Sequence, residues 1–288
     1  MTKIAIIGTG RMGTAFAKRL MEVDHDVTVW NRTPSRTAAA AGAGAIIAPD
    51  LATAAAADTI LVSLTDAPAV EAATAELIRA GIAGKLVVDL STLLPEETRR
   101  LAEKTIAAGA EFVDCPVGGT VGPALKGQLL GMAGGTEAAF ARAKPVLEQL
   151  CRRVEHLGPA GTGARMKLAV NLPLAIYWKT LAEALTLLEG SGIAAGTAIS
   201  LIADSSAGPT VLKNRAQVVV DTLNGTDQPG TFDIAGLAKD LDLALRQAAL
   251  AGRPMPLSEE TAKSYAEALS AGLGGFDGAS LTRHLAGN

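Results

Sequence analysis

The chain has 288 residues, a formal charge of −3 and 49% hydrophobic residues, with 19% charged and only 3% aromatic. This balance excludes a disordered chain, and the near-neutral charge excludes an electrostatic nucleic-acid surface. The 31 glycines follow no G-X-Y period, so a collagen-like rod is excluded too, and the length predicts about two domains.

Taken in chain order, short runs rich in Ile, Val and Leu predict strands at 3–7, 26–30, 59–64, 86–90, 112–117, 129–133 and 154–157. Alanine-rich stretches between them predict helices at 13–23, 34–41, 67–80, 95–108 and 136–149. This alternation predicts an α/β fold with a parallel sheet covered by helices on both faces. After Gly158 the pattern changes to helices alone, at 164–189 (through Pro173), 194–204, 210–222, 234–251 and 258–271. The expected division is residues 1–162 as a nucleotide-binding domain and 163–288 as an all-helical domain. Several C-terminal helices are apolar all round, which predicts a homodimer or higher homo-oligomer built on that half.

The N-terminal apolar run Ile4-Ala5-Ile6-Ile7 is too short for a secretory signal, and no uninterrupted apolar stretch reaches the roughly 18–20 residues of a bilayer span. Cys115 and Cys151 form no CxxC pair, and His25, His156 and His284 are scattered, so neither a disulfide framework nor a metal site is expected. The expectation is a soluble cytoplasmic protein with a small-molecule substrate and no membrane or nucleic-acid partner.

Gly8-Thr9-Gly10-Arg11-Met12-Gly13 follows the first strand and opens the first helix, the context a dinucleotide-binding turn requires. The second strand ends in Trp30-Asn31-Arg32-Thr33, followed by Ser35-Arg36, where an NAD site usually carries a carboxylate. Two guanidinium groups in that position suit a 2′-phosphate and predict NADP (NADPH) as the cofactor, held in part by Asn31, Arg32, Thr33 and Arg36. Further on, Gly158, Gly161 and Gly163 precede Lys167, and Gly161 and Gly163 are expected where backbone approaches cofactor or substrate. Lys167 and Asn171 are four residues apart on one helical face, which Leu174 and Trp178 continue as substrate-binding candidates. A desolvated lysine can act as a general acid near neutral pH.

Four motifs in order carry a family resemblance: Gly8 to Gly13, Asp114-Cys115-Pro116-Val117-Gly118-Gly119, Gly161-x-Gly163-x-x-x-Lys167-x-x-x-Asn171, and Lys239-Asp240-Leu241-Asp242-Leu243-Ala244. Together they span almost the whole chain. They resemble the β-hydroxyacid dehydrogenases, among them 3-hydroxyisobutyrate dehydrogenases and glyoxylate/succinic semialdehyde reductases. The resemblance implies a Rossmann-type doubly wound domain, a long interdomain helix and an all-α domain that dimerises. It implies Lys167 as the catalytic proton donor, Asn171 as a substrate-binding partner and Lys239 on the nicotinamide side of the cofactor. It also implies Leu64 and Thr65 in the third-strand loop beside the cofactor and Thr92 near the nicotinamide ribose.

One departure stands out. The family's substrate loop usually reads Pro-Val-Ser-Gly-Gly, whereas this chain has Pro116-Val117-Gly118-Gly119-Thr120. Gly118, Gly119 and Thr120 are then the substrate-loop candidates, with backbone N–H groups and the Thr120 hydroxyl in place of the serine. The expected activity is NADPH-dependent reduction of a small aldehyde or keto acid. An imine reductase on the same scaffold and a non-catalytic NADP-sensing protein are the alternatives.

Overall fold

The computed structural model of the chain describes residues 2–285. They form two compact units, one ending at Lys167 and one beginning at Leu168. The first unit opens with β1 (Lys3–Ile7), α1 (Arg11–Glu22), β2 (Asp26–Trp30), α2 (Ala38–Ala41), β3 (Ile46–Ile47), α3 (Leu51–Ala54) and β4 (Thr59–Val62). It continues with α4 (Ala67–Ala80), β5 (Leu86–Asp89), α5 (Pro95–Ala107), β6 (Glu111–Asp114), β7 (Val117–Gly118) and α6 (Val121–Leu125). β8 (Leu129–Gly135), α7 (Glu137–Leu150) and β9 (Cys151–His156) follow. The long helix α8 (Thr162–Thr186) starts in the first unit and runs on into the second.

The strand order is 3-2-1-4-5-6-8-7, with β9 paired to β8. β1 to β6 are parallel, in the doubly wound order whose direction of winding reverses between β1 and β4. Alternation within each strand fills both faces: Ile4 and Ile6 join one core with Phe16, Leu20 and Val29, while Ala5 and Ile7 join the other with Ile60, Leu77 and Phe112. Both sets are buried, which is why these strands read as continuous apolar runs.

The parallel run of strands ends at one edge. β8 runs antiparallel to both β6 and β7. The intervening helix α6 has only five residues and rises roughly 7–8 Å, too little to carry the chain back along a strand before it pairs. The 14-residue α7 is long enough, and β9 returns parallel to β8.

The second unit contains α9 (Ala195–Asp204), α10 (Thr210–Leu223), α11 (Ile234–Leu250), α12 (Pro256–Ser270) and α13 (Leu281–His284). Among its described residues the only β pairing is two isolated bridges, Pro229 with Phe276 and Asp233 with Asp277. Its core gathers Leu181, Leu212, Leu237, Leu241, Tyr265 and Leu281. The Tyr265 hydroxyl, buried with them, donates to the Ala175 carbonyl at 2.9 Å. Pro173 lies inside α8, which continues through it. No helix among the described residues is long and apolar enough to cross a membrane.

Candidate active site

The carboxyl ends of β1, β2, β4, β5 and β6 carry the polar and glycine-rich segments of the first unit. A doubly wound sheet binds its ligands at that edge, near the point where the strand order reverses. The glycines at the tip of β1 divide by function. A Cβ on Gly13 would lie 1.8 Å from the Gly8 carbonyl, and one on Gly8, where φ is +102°, would lie 2.2 Å from the Ser63 carbonyl. Both are therefore consumed by packing of strand tip against helix and neighbouring strand. A Cβ on Gly10 would meet nothing within 4 Å. Gly10 is the N-cap residue of α1, and no side chain caps that helix. An open glycine before an uncapped 12-residue helix fits the pyrophosphate of a dinucleotide, held by backbone donors and the positive end of the helix. Arg11 is exposed on the first turn, and Met12 is half-buried against the core beneath it.

The tip of β2 is stitched to that of β1. Asn31 Oδ1 accepts from Thr9 N at 3.1 Å, and Asn31 Nδ2 donates to the Thr33 carbonyl at 3.0 Å. The Thr9 hydroxyl donates to the Arg36 carbonyl at 3.0 Å. These bonds fix the main chain of the loop while the side chains of Arg32, Thr33 and Arg36 stand exposed. A cleft of 490 Å3 opens beside the loop, lined by Trp30, Asn31, Arg32, Thr37, Ile47 and Leu51 among others. Thr65 is exposed, Leu64 and Thr92 half-buried.

A second stitch joins β4 to β5 and was not anticipated. Leu64 N donates to the Ser91 hydroxyl at 3.0 Å, and Ser91 N donates to Asp89 Oδ1 at 3.0 Å. Asp89 is buried at the end of β5, in register with Asp114 on β6. Burial pushes the Asp89 carboxyl up to about 7, against the bond from Ser91, and pushes Asp114 up to about 6 against its backbone donors. A carboxyl whose pKa is raised on folding binds more protons in the folded state. Its ionisation then costs stability as pH rises from the unfolded value near 4 through the folded value. Asp89→Asn should therefore unfold at a higher temperature than the parent at pH 8. That gap should shrink towards pH 4, tracking a difference on the order of a few kcal/mol. Thermal unfolding of both proteins across this range tests it; a gap that stays constant with pH contradicts the assignment.

Lys167 is buried in the first turns of α8, with only 8% of its surface exposed. Its Nζ donates to the Val117 carbonyl at 2.8 Å, in β7 just before Gly118. Gly118 and Thr120 are half-buried and Gly119 exposed in the segment that follows. Gly161 and Gly163 face the protein's own backbone rather than open space, which corrects the expectation of an approach to ligand there. Their Cβ atoms would lie 2.8 Å from the Pro95 carbonyl and 2.1 Å from the Met132 carbonyl.

In the second unit Asn171 is buried on α8 and donates from Nδ2 to Asp240 Oδ2 at 2.5 Å. Asp240 Oδ1 lies 3.0 Å from Lys239 Nζ. The buried Asp240 therefore links the asparagine and lysine of two separate motifs. Its place next to Lys239 was visible in the sequence, but nothing local marks an Asp followed by an apolar residue as a buried anchor. Leu174 is half-buried against the core of this unit. Trp178 is corrected: it is 2% exposed and belongs to that core, and a Cβ on Gly278 would lie 2.6 Å from its Nε1. Its indole is enclosed by packing, not presented to a substrate. Among the described residues no cluster of His, Cys, Asp or Glu is gathered to hold a metal ion.

Comparison with known proteins agrees with this fold. Residues 3–158 match the family described as the NAD binding domain of 6-phosphogluconate dehydrogenase. Residues 161–285 match the one described as "NAD-binding of NADP-dependent 3-hydroxyisobutyrate dehydrogenase". The chain is 33% identical over 264 residues to 3-hydroxyisobutyrate dehydrogenase of Pseudomonas aeruginosa, covering 89% of each. It is 28% identical over 280 residues to glyoxylate/succinic semialdehyde reductase 1 of Arabidopsis thaliana, covering 96% of this chain and 95% of the relative. A solved structure of Mycobacterium tuberculosis 3-hydroxyisobutyrate dehydrogenase with L-serine superposes with a TM-score of 0.88 at 29% identity, covering 99% of each chain. With both halves matched in order, and a nucleotide cradle at the switch point of the sheet, the chain belongs to the β-hydroxyacid dehydrogenase family of NAD(P)-dependent oxidoreductases.

Proposed function

We propose that this protein is an NADPH-dependent reductase of a small aldehyde or keto acid, of the glyoxylate or succinic semialdehyde type, producing the hydroxy acid. The observation that supports this most is the burial of Lys167 with its ammonium on the Val117 carbonyl, at the start of the Gly118-Gly119-Thr120 segment. In this reading Lys167 Nζ donates the proton that converts the carbonyl oxygen to a hydroxyl. When bound, the reduced nicotinamide supplies the hydride for the carbonyl carbon. Asn171, tied to Asp240, orients the substrate, and Lys239 serves the cofactor. Gly10 and the main chain of Arg11 and Met12 cradle the pyrophosphate on a turn whose close packing Gly8 and Gly13 permit, and Arg32 and Arg36 take the 2′-phosphate. Leu64, Thr65 and Thr92 flank the cofactor from the ends of β4 and β5. The protein acts as a homo-oligomer through its C-terminal helices.

The test is a panel: oxidation of NADPH and of NADH with glyoxylate, succinic semialdehyde, tartronate semialdehyde and a cyclic imine. The proposal expects turnover with NADPH and an aldehyde acid to exceed the rest. A faster rate with the cyclic imine transfers the protein to imine reduction, the reading that Gly118 in place of serine favours. NADPH binding without turnover of any of them leaves a sensor.

Gly118→Ser separates these cases further. Its Cβ would lie 3.5 Å from Leu130 Cβ, an ordinary contact, so the serine fits. One added hydrogen bond to a carboxylate is worth about 1.5–3 kcal/mol, so KM for an aldehyde acid should fall about ten- to a hundredfold. An unchanged KM means that this loop does not hold a carboxylate.

A further inference from the structure

Asp114 closes β6 and is 2% exposed. Its two oxygens are spent on the start of α8. Oδ1 accepts from Gly161 N and Oδ2 from Ala164 N, each at 2.8 Å. These are two of the N–H groups that a helix N-terminus leaves without partners inside the helix. The residue that satisfies them comes from a strand 47 and 50 residues earlier, not from a local capping position. The anion also sits at the positive end of the helix.

The surroundings are shaped to this carboxylate. A Cβ on Gly134 would lie 2.6 Å from Asp114 Oδ1, and one on Gly163 would lie 2.8 Å from Oδ2. Gly161, with φ at +91°, turns its N–H inward and leaves no room for a side chain beside Pro95. Three residues after Asp114, the Val117 carbonyl receives Lys167 Nζ at 2.8 Å. The segment 114–117 thus grips α8 twice, by a carboxylate on its first turn and by a carbonyl on the lysine one turn further on.

We infer that Asp114 is the positioning residue for Lys167: its carboxylate docks the first turn of α8 on the end of β6 and so sets the lysine ammonium beside the Val117–Thr120 segment. This rests on the reading of Lys167 as proton donor. Asp114 itself touches no reacting atom. Its effect is geometric, and displacing a catalytic group by about 1 Å is enough to lower turnover about a hundredfold.

Asp114→Asn and Asp114→Ser in the full chain test this. Neither can accept as a carboxylate from both N–H groups. In the protein without added cofactor, amide hydrogen exchange over residues 161–168 should quicken at least about tenfold. Acetylation of Lys167 by acetic anhydride, read by mass spectrometry, should rise several-fold against the exposed lysines. With NADPH and glyoxylate or succinic semialdehyde, kcat should fall about 10- to 100-fold while the NADPH Kd stays within about threefold. In a Lys167→Ala background the same substitution should lower kcat no further. Unchanged exchange and labelling overturn the inference, as does a loss of equal size in the Lys167→Ala background. Failure of both variants to fold makes the carboxylate a folding determinant and overturns it too. Full turnover by Lys167→Ala alone instead removes the proton-donor reading, and the exchange result still reports whether Asp114 docks the helix.

Discussion

Lys167→Ala should lose about 10²- to 10⁴-fold in kcat and leave NADPH affinity unchanged, the range that positioned general acids contribute. The helix should survive, because alanine is the best helix former and the substitution leaves both Asp114 bonds at the first turn in place. What is removed is the ammonium on the Val117 carbonyl. Lys167→Arg sharpens the result. It keeps a positive charge and a hydrogen-bond donor but cannot be deprotonated near neutral pH, so it should stay far below the parent. Single-turnover measurement of NADPH oxidation, with the NADPH Kd from fluorescence titration, separates chemistry from binding. Near-parental turnover by either variant would remove Lys167 from the chemistry.

The second large effect is on cofactor choice. Arg32→Glu should raise KM for NADPH about 10- to 100-fold or more, while KM for NADH changes little. Loss of one charge-assisted hydrogen bond accounts for about 1.5–3 kcal/mol, and the new carboxylate adds repulsion towards a 2′-phosphate. The fold should not suffer, since Arg32 is exposed and the loop is held by Asn31 and by the Arg36 carbonyl. Equal changes for the two cofactors would show that Arg32 does not meet the 2′-phosphate. The same measurement on Arg36→Ala apportions the effect between the two arginines.

Much of the first unit is legible along the chain. β1, β2 and α4 begin and end at the residues where apolar runs and alanine-rich stretches place them. Buried parallel strands need unbroken Ile/Val/Leu runs, and long helices need sustained periodicity, so both leave a readable signal. The short elements do not. Ile46–Ile47, Val117–Gly118, Leu51–Ala54 and Val121–Leu125 are two to five residues long, too short to show any period. The antiparallel entry of β8 was hidden for a related reason: direction follows from the reach of the connection, not from strand composition.

At the site, local sequence placed the glycine turn at 8–13 between β1 and α1 and the basic loop after β2, because each lies where a short spacing meets the end of an element. The role expected of Lys167 came from the family resemblance and not from its spacing. Local sequence misjudged Trp178, because a large aromatic on a helix has the same spacing whether it faces a ligand or a core. It also misjudged Gly161 and Gly163, because a glycine needed for ligand approach and one needed for backbone approach look alike until the neighbour is known. The Met132 carbonyl is that neighbour for Gly163, and the Pro95 carbonyl for Gly161.

By itself, then, the sequence determined the class of fold, the glycine turn after the first strand and the placement of Lys167 near the start of a long helix, since turn geometry and helix periodicity act over a few residues. Only the tertiary structure decided which groups hold the start of α8, Lys167 and Asn171. Asp114 meets Gly161 and Ala164 across 47 and 50 residues of chain, Val117 meets Lys167 across 50, and Asp240 meets Asn171 across 69. Pairings over such distances are set by which strand ends lie side by side and by which helix docks on them. No local pattern encodes that order, because a buried carboxylate needs partners that only the folded chain brings within reach.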